Sequence, residues 1–353
     1  MSRVSHWSPM HATVHQALRS RQLLHRGQAV LIAVSGGQDS LCLLKIMQDL
    51  QPRWGWHLGV VHCDHQWRSD SGANAQFVRD WVVQGSRRED AGTQDSEPLT
   101  MHLCQAESAP GSEAAARAWR YDCFGQLAMQ YGYGAVVTGH TASDRAETLL
   151  YNLMRGCGGD GLGALQWSRP LGDLPVAIVR PLLALERQDT ANFCQDFRLP
   201  VWEDSTNSDR RYQRNRIRLE LLPYLKAQFN PQVIRHLAQT AELWQGDVAY
   251  LEEQARQSRL SLQQQNGLHR QGLNQLPLAL QRRVIRQFLQ EHLPQAPSFD
   301  QVEKVLGLLK AGQGSQTDPF PGGTIALVQG DWIRLQQPDA LSDAPSDALP
   351  DAP

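Results

Sequence analysis

The fold class this sequence predicts is α/β: a doubly wound, Rossmann-like parallel sheet, followed by a helical linker and a small α+β domain. Three observations predict it. Short apolar runs recur at 29–34 (AVLIAV), 57–63 (HLGVVHC), 99–104 (LTMHLC), 135–139 (AVVTG) and 176–180 (VAIVR). Helical patterns fall between them at 40–50, 72–84, 112–131 and 143–154, with another at 186–197. Continuous Val, Ile and Leu runs alternating with helices mark parallel strands covered on both faces. After about residue 222 the strand signal gives way to long stretches rich in Gln, Glu, Arg and Leu.

Taken in order, a helix at 10–25 precedes the first strand. Residues 85–98 (GSRREDAGTQDSEP) are polar and contain Gly and Pro, and read as a surface insertion. Residues 231–260 have helical spacing, and 275–310 give two further helices (PLALQRRVIRQFLQ and SFDQVEKVLGLLK). In PFPGGTIALVQGDWIRL turn signals surround short strands, which predicts a small hairpin. The Asp-Ala-Pro tail lacks the residues to bury a core and is expected to be disordered. The expected boundaries are an α/β domain over 1–225, a helical linker over 226–262, a small domain over 263–336 and an acidic tail over 337–353.

Composition bounds the function. Apolar residues make up 41% and charged residues 20% of the 353, as in an ordinary water-facing protein. No run of about 18 apolar residues predicts a membrane span. The N-terminal stretch lacks the apolar region of a secretory signal, so the expected location is cytoplasmic. The six cysteines form no CxxC pair, which argues against a zinc knuckle or a redox motif and predicts reduced, mostly buried thiols. The net charge of −2 hides a split. Asp339, Asp343, Asp347 and Asp351 lie in a tail without basic residues, so the rest of the chain carries +2. Arginines outnumber lysines 30 to 4. They offer planar contacts to phosphate, although a coding bias gives the same skew.

The stretch with the most chemistry is Ser35-Gly36-Gly37-Gln38-Asp39-Ser40, between the first strand and its helix. A helix N-terminus attracts phosphate, glycines let the backbone come close, and Ser35 and Ser40 add hydroxyls. Asp39 would repel phosphate unless a cation bridges the two, which points to Mg²⁺. The GxxxxGK[ST] loop of common kinases and GTPases is absent. Ligands of open parallel sheets sit beyond the strand ends, where His62, His65, His140 and Asp144 are expected. Arg117 and Arg120 share a helix face, and Arg120 can neutralise a transferring phosphate. Arg210, Arg214 and Arg218 repeat every four residues, with Arg211 and Arg216 nearby. Such a stripe can track a nucleic-acid backbone or form a solvated face.

SGGQDS resembles the pyrophosphate loop of the adenine-nucleotide α-hydrolase (PP-loop) superfamily, whose members cleave ATP to AMP and pyrophosphate. Four further stretches narrow the resemblance. They are His62-Cys63-Asp64-His65-Gln66-Trp67-Arg68; Ser112 to Tyr121; Gly139 to Thr148 running into Arg155 to Leu162; and Glu203 to Asn207 followed by Arg214 to Arg218 and Leu222-Pro223. In this order they resemble the tRNA(Ile)-lysidine synthase family over roughly residues 27 to 335. The resemblance implies a ligase. ATP activates C2 of the wobble cytidine of a tRNA(Ile) with a CAU anticodon. The side-chain amine of L-lysine then displaces AMP to give lysidine, changing codon reading and identity from methionine to isoleucine. It places Arg120, His140 and Asp144 in the catalytic centre and Ser35 to Ser40 on ATP; the residues themselves add Asp39 to that centre, on Mg²⁺ through ATP, His62 on ATP, and Arg210, Arg214, Arg216 and Arg218 on tRNA or nucleotide. The small domain resembles a tRNA-binding domain of the family.

Several readings stay open at this point. His62 and His65, or His140, Asp144 and Glu147, can be metal ligands. Asp144 and Arg145 can be a salt-bridged helix start. Residues 156–163 can be a mobile loop or a connector. A base thiolase would need a nucleophilic cysteine pair, for which Cys104 and Cys157 are available. An amidotransferase-type ligase would need an ammonia source, and a non-catalytic RNA-binding protein would need no intact loop. The oligomeric state is open, a homodimer included.

Overall fold

The computed structural model describes residues 7–67, 70–86, 99–202 and 209–337. The acidic tail, Arg68, most of the 85–98 insertion and the 203–207 stretch lie outside the described residues. The chain forms two compact units, 1–245 and 246–353.

The first unit is built on a six-stranded sheet. Its strands are β1 (Ala29–Ala33), β2 (His57–Asp64), β3 (Thr100–Gln105), β4 (Ala135–Val137), β5 (Ser168–Leu171) and β6 (Leu174–Val179). Their order is β3-β2-β1-β4-β6-β5. All neighbours run parallel except β5, which is antiparallel to β6. The predicted strands all form. β5 is an addition at the sheet edge, where its proline removes no inner ladder bond.

Alternation along β1 shows why the sheet needs cover on both sides. Val30 and Ile32 join one apolar cluster and Leu31 another, and all three are fully buried. Burying each is worth about 1.5–3 kcal/mol. The first cluster is completed by α1 (Pro9–Ser20), α2 (Gln38–Trp54), α3 (Ser71–Ser86) and α7 (Arg187–Asp196); the second by α4 (Glu113–Tyr131) through Phe124 and Ala128. Helix α1 is shorter than the sequence suggests. It ends at Ser20, and Gln22 follows with φ of 51°. Between β4 and β5 lie α5 (Ala142–Met154) and the single turn α6 (Gly159–Leu162), so the glycine-rich run is in part helical.

After α7 come α8 (Gln213–Arg216), a π-helical turn (Ile217–Leu221), α9 (Leu222–Gln228) and the long α10 (Val233–Leu262). The expected linker is thus mostly one helix. In the second unit α11 (Arg270–Gln275), α12 (Leu278–His292) and α13 (Phe299–Gly307) accompany a four-stranded antiparallel sheet. Its strands are β7 (Gln263–Gln264), β8 (Gly267–His269), β9 (Ile325–Gln329) and β10 (Trp332–Gln336), in the order β7-β8-β10-β9. The expected hairpin is β9–β10, extended by two short strands. Val284, Ile285 and Phe288 of α12 pack with Val328 and Ile333 of that hairpin.

The chain steps outward from β1 to β3 and returns to β4 on the other side of β1. The order therefore reverses between β1 and β4, and ligands of such sheets bind in the crevice at that point.

Candidate active site

The loop after β1 lies at the switch point. Gly36 has φ of +91°, and a side chain there would meet Asn74 Oδ1 at 2.5 Å, so only glycine fits. Ser40 is buried at the start of α2. Its hydroxyl donates to Gly37 O at 2.8 Å and accepts from the Ser35 backbone N–H at 3.2 Å. The loop after β4 comes close behind: a side chain at Gly139 would meet the Asp39 carbonyl oxygen at 2.8 Å. Two loops distant in sequence thus share one floor.

Asp39 points from the first turn of α2 to α7. Its carboxylate accepts a short hydrogen bond from the Thr190 hydroxyl, one from Gln38 Nε2 at 3.4 Å, and an ion pair from Arg187 Nη2 at 3.2 Å. Burial pushes its pKa up; Arg187 opposes this and Asp144 adds to it, so the net shift is upward. A buried carboxylate held off its ordinary value and facing a second carboxylate is a place where a cation is favoured. The Gln38 side chain serves the same support, donating to Arg187 O at 2.9 Å and to Thr190 Oγ1 at 3.1 Å.

Asp144 is set by a capping box at the start of α5. Its Oδ2 accepts from the Thr141 backbone N–H and hydroxyl, both at 2.8 Å, and the Thr141 hydroxyl accepts from the Asp144 N–H. Its Oδ1 lies 3.4 Å from Arg218 Nη2. Burial raises its pKa, but His140, Arg187, the Thr141 N–H and Arg218 outweigh burial and hold it down. His140 Nδ1 pairs with the Thr138 hydroxyl at 2.8 Å. Burial, with Arg180, Arg117 and Arg120 nearby, lowers the His140 pKa to about 3 against the pull of Asp144, so the ring is neutral. His62 is buried and its Nδ1–H donates to Val34 O at 2.8 Å, which ties β2 to the loop.

Ser35, Asp39, Ser40, His62, Arg120, His140 and Asp144 all line one cavity of about 350 Å³. Gly36, Gly37 and Gln38 are not among its lining residues. Residues that sequence reasoning missed are Arg187 and Thr190, which hold Asp39 from about 150 positions away, and Asn74, whose Nδ2 donates to Ser35 O at 3.1 Å.

The arginine stripe divides. Arg210 and Arg216 are exposed and only loosely paired with Glu220, at 3.7 and 3.5 Å. Arg214 is half-buried, near Thr148 Oγ1 at 3.3 Å and Glu113 at 3.7 Å. Arg218 turns inward. It makes two hydrogen bonds to the buried Glu147, at 2.7 and 2.8 Å, besides its contact with Asp144. This corrects the expectation of a continuous stripe: with the π-helical turn at Ile217–Leu221, Arg218 is an internal counter-ion of α5.

Arg145 is paired with Glu242 at 2.9 Å and with Leu165 O, not with Asp144. Among the described residues no three His, Cys, Asp or Glu groups gather to hold a metal. All six cysteines are free, three buried and three half-buried. Cys104 faces Cys63 across the β2–β3 ladder.

Comparison with known proteins agrees with this geometry. A model described as a PP-loop domain matches residues 9–225, and one described as the TilS substrate binding domain matches 268–338. A tRNA(Ile)-lysidine synthase of Nostoc sp. is 51% identical, covering 96% of this chain and 99% of its own. Synthases of the same name from Synechococcus sp. and Synechocystis sp. are 48% and 47% identical, over 94% and 93% of this chain and 98% of each of theirs. Among solved structures, a U34-tRNA thiolase from Methanococcus maripaludis superposes with a TM-score of 0.53 at 13% identity, covering 67% of this chain and 78% of its own, a likeness of fold alone. The chain belongs to the tRNA(Ile)-lysidine synthase family of PP-loop, ATP-using C–N ligases.

Proposed function

We propose that this chain converts the wobble cytidine of a CAU-anticodon tRNA(Ile) to lysidine in two steps. In the first, the C2 carbonyl oxygen attacks the α-phosphate of ATP and pyrophosphate leaves. In the second, the side-chain amine of L-lysine attacks C2, AMP leaves and the amine loses a proton. The observation that carries this reading is the convergence of Asp39, Arg120, His140 and Asp144 on one cavity at the reversal point of the sheet.

The loop Ser35 to Ser40 and the start of α2 receive the β- and γ-phosphates. Mg²⁺ suits the donor set, because that ion takes one or two carboxylates plus substrate phosphates rather than an all-protein cage. Asp39 would hold it, and when bound it supplies positive charge against the phosphates. Arg120 neutralises charge on the α-phosphate as the bond to pyrophosphate breaks. Asp144, held ionised, anchors the lysine ammonium, and the proton passes to solvent as the amine turns nucleophilic. Neutral His140 offers a hydrogen bond without adding charge. Arg210 and Arg216, exposed on the first unit, contact the tRNA backbone.

Labelled lysine tests the reading. Incorporation into a CAU-anticodon tRNA(Ile) transcript should require ATP and fail with a tRNA(Met) transcript. Incorporation without ATP, or equal labelling of both, contradicts it.

A further inference from the structure

Three of the six cysteines stand together on one face of the first unit's sheet, and the steps above use none of them. Cys63 of β2 and Cys104 of β3 are in register across the parallel ladder. Neighbouring strands run about 4.8 Å apart, and in-register side chains share a face. Here it is the face that α4 covers with Phe124 and Ala128. Helix α4 brings Cys123, 9% exposed, to the same place. The three thiols lie close enough to act on one another's protons. Strand β3 is the edge of the sheet, and Cys104 is only half-buried, whereas Cys42 of α2 and Cys194 of α7 are buried.

The trio is chemically asymmetric. Hydrogen bonds from the Cys123 and Cys63 thiols, with His102 and His62 nearby, outweigh burial and lower the Cys104 pKa to about 3. The other two thiols are pushed the opposite way, Cys123 to about 11. At neutral pH the cluster is one thiolate between two protonated thiols. The thiolate is the form that oxidants attack. Burial raises the Cys42 and Cys194 thiols, which leaves them inert.

We propose that Cys104 and Cys123 are a reversible oxidation site, at which hydrogen peroxide joins them as a disulfide and thereby slows the enzyme. Cys123 is the partner because it approaches from the facing helix. Cys63 stands beside Cys104 with its side chain parallel, at a strand spacing beyond the roughly 3.5–4.5 Å that the two Cβ atoms of a disulfide need. In the first step the Cys104 sulfur takes one peroxide oxygen with its hydrogen as the O–O bond breaks, and the other oxygen leaves as hydroxide and gains a proton. The Cys123 thiol then gives up its proton, attacks the Cys104 sulfenic sulfur and expels the second oxygen as water. Each sulfur loses one electron, and one peroxide is reduced to two waters.

Arg120 lies one turn before Cys123 on α4 and lines the cavity, as Cys63 does. Unbonded sulfurs stay about 3.5 Å apart or more, and the S–S bond is about 2.05 Å. Closing it therefore draws α4 and the edge strand together at this turn. A misplacement of about 1 Å at a reacting group can cost roughly a hundredfold in rate. The slowing rests on the reading of Arg120 as the α-phosphate contact; the disulfide itself does not.

The test treats the intact protein with hydrogen peroxide, alkylates the remaining thiols and maps the peptides by mass. tRNA-dependent pyrophosphate release is measured before oxidation, after it, and after dithiothreitol. The Cys104 and Cys123 peptides should be joined with the loss of two hydrogens. Release should fall by roughly tenfold or more, and dithiothreitol should restore it. Cys104→Ser should keep its basal release and resist the same treatment. Cys123→Ser should instead accumulate a Cys104 sulfenic acid that dimedone traps. Absence of the Cys104–Cys123 cross-link in the native protein overturns the proposal without any variant having to fold, and so does a Cys63–Cys104 cross-link in its place. A cross-link that leaves release unchanged overturns it too, as does peroxide inactivation that is as fast in Cys104→Ser. The peptide map needs no activity, so a protein that attaches no lysine would remove the assigned product and leave the disulfide decided by mass alone.

Discussion

The two units bury different things. In residues 1–245 the C-terminal edge of the sheet takes His62, Asp64, Asp144 and Glu147 out of water, and Arg145 and Arg180 are 1% exposed. In the second unit the buried polar residues, among those described, are Thr317 and Thr324. Of its ion pairs, Arg282–Glu303 and Lys304–Asp318 meet solvent, while Arg259–Glu291 and Arg283–Glu252 are partly buried. Burying a charge costs several kcal/mol unless partners are in place. The first unit sustains that cost around one cavity, where fixed charges can act on a reacting phosphate. The second unit has an almost wholly apolar core, with its ion pairs exposed or partly buried around it.

The sharpest way to break this contrast is at Asp39 and Asp144. Asp39→Asn should lower tRNA-dependent pyrophosphate release, and Asp144→Asn lysine incorporation, each by about a thousandfold. Normal turnover in Asp39→Asn would show that the loop is not used as described. Next comes Glu147→Gln, which leaves Arg218 facing a neutral partner inside the protein. A loss of about 3 kcal/mol in chemical denaturation is expected, and a change no larger than that of a surface pair would erase the distinction between the units.

Titration gives a smaller effect. His140 and His65 have folded pKa values lowered to about 3 and about 4. In the unfolded chain both take a proton near pH 6.5. The unfolded state therefore binds protons that the folded state refuses. Stability is full above about pH 6.5 and falls as pH drops toward the folded values. The melting temperature should decline between pH 7.5 and 5.5, and His140→Gln should make the decline shallower; unaltered slopes would place the His140 titration near its ordinary value. Arg210→Ala with Arg216→Ala should weaken tRNA binding severalfold and flatten its salt dependence, by about one unit of slope for each phosphate no longer neutralised. Unchanged affinity would return both to a solvated face. At the small end, Asp318→Asn in the second unit should leave the melting temperature unmoved within about a degree.

Much of this was legible in the sequence because the signals are local. The Val30–Ile32 run and the Ser35–Ser40 loop each lie within a few residues, and strand and helix positions follow from their periods. Three things were not legible. Strand β5 (Ser168–Leu171) is short and holds Pro170, so it carries no period-two pattern; its place depends on pairing with β6. Arg187 and Thr190 read as an ordinary helix start, and only the packing of α7 on α2 aims them at Asp39. Arg218 has the same spacing as Arg210 and Arg214, but spacing does not reveal that Glu147 waits behind it. The π-helical turn and the buried carboxylate decide that, and both are tertiary facts.

The most direct test of the account is nucleoside mass analysis of CAU-anticodon tRNA(Ile) after incubation with the protein, ATP, Mg²⁺ and lysine. The account predicts a cytidine that has gained lysine with loss of water, and none when Asp144→Asn replaces the native chain. A cytidine left unmodified by the native protein, or one that gains sulfur instead, would contradict it.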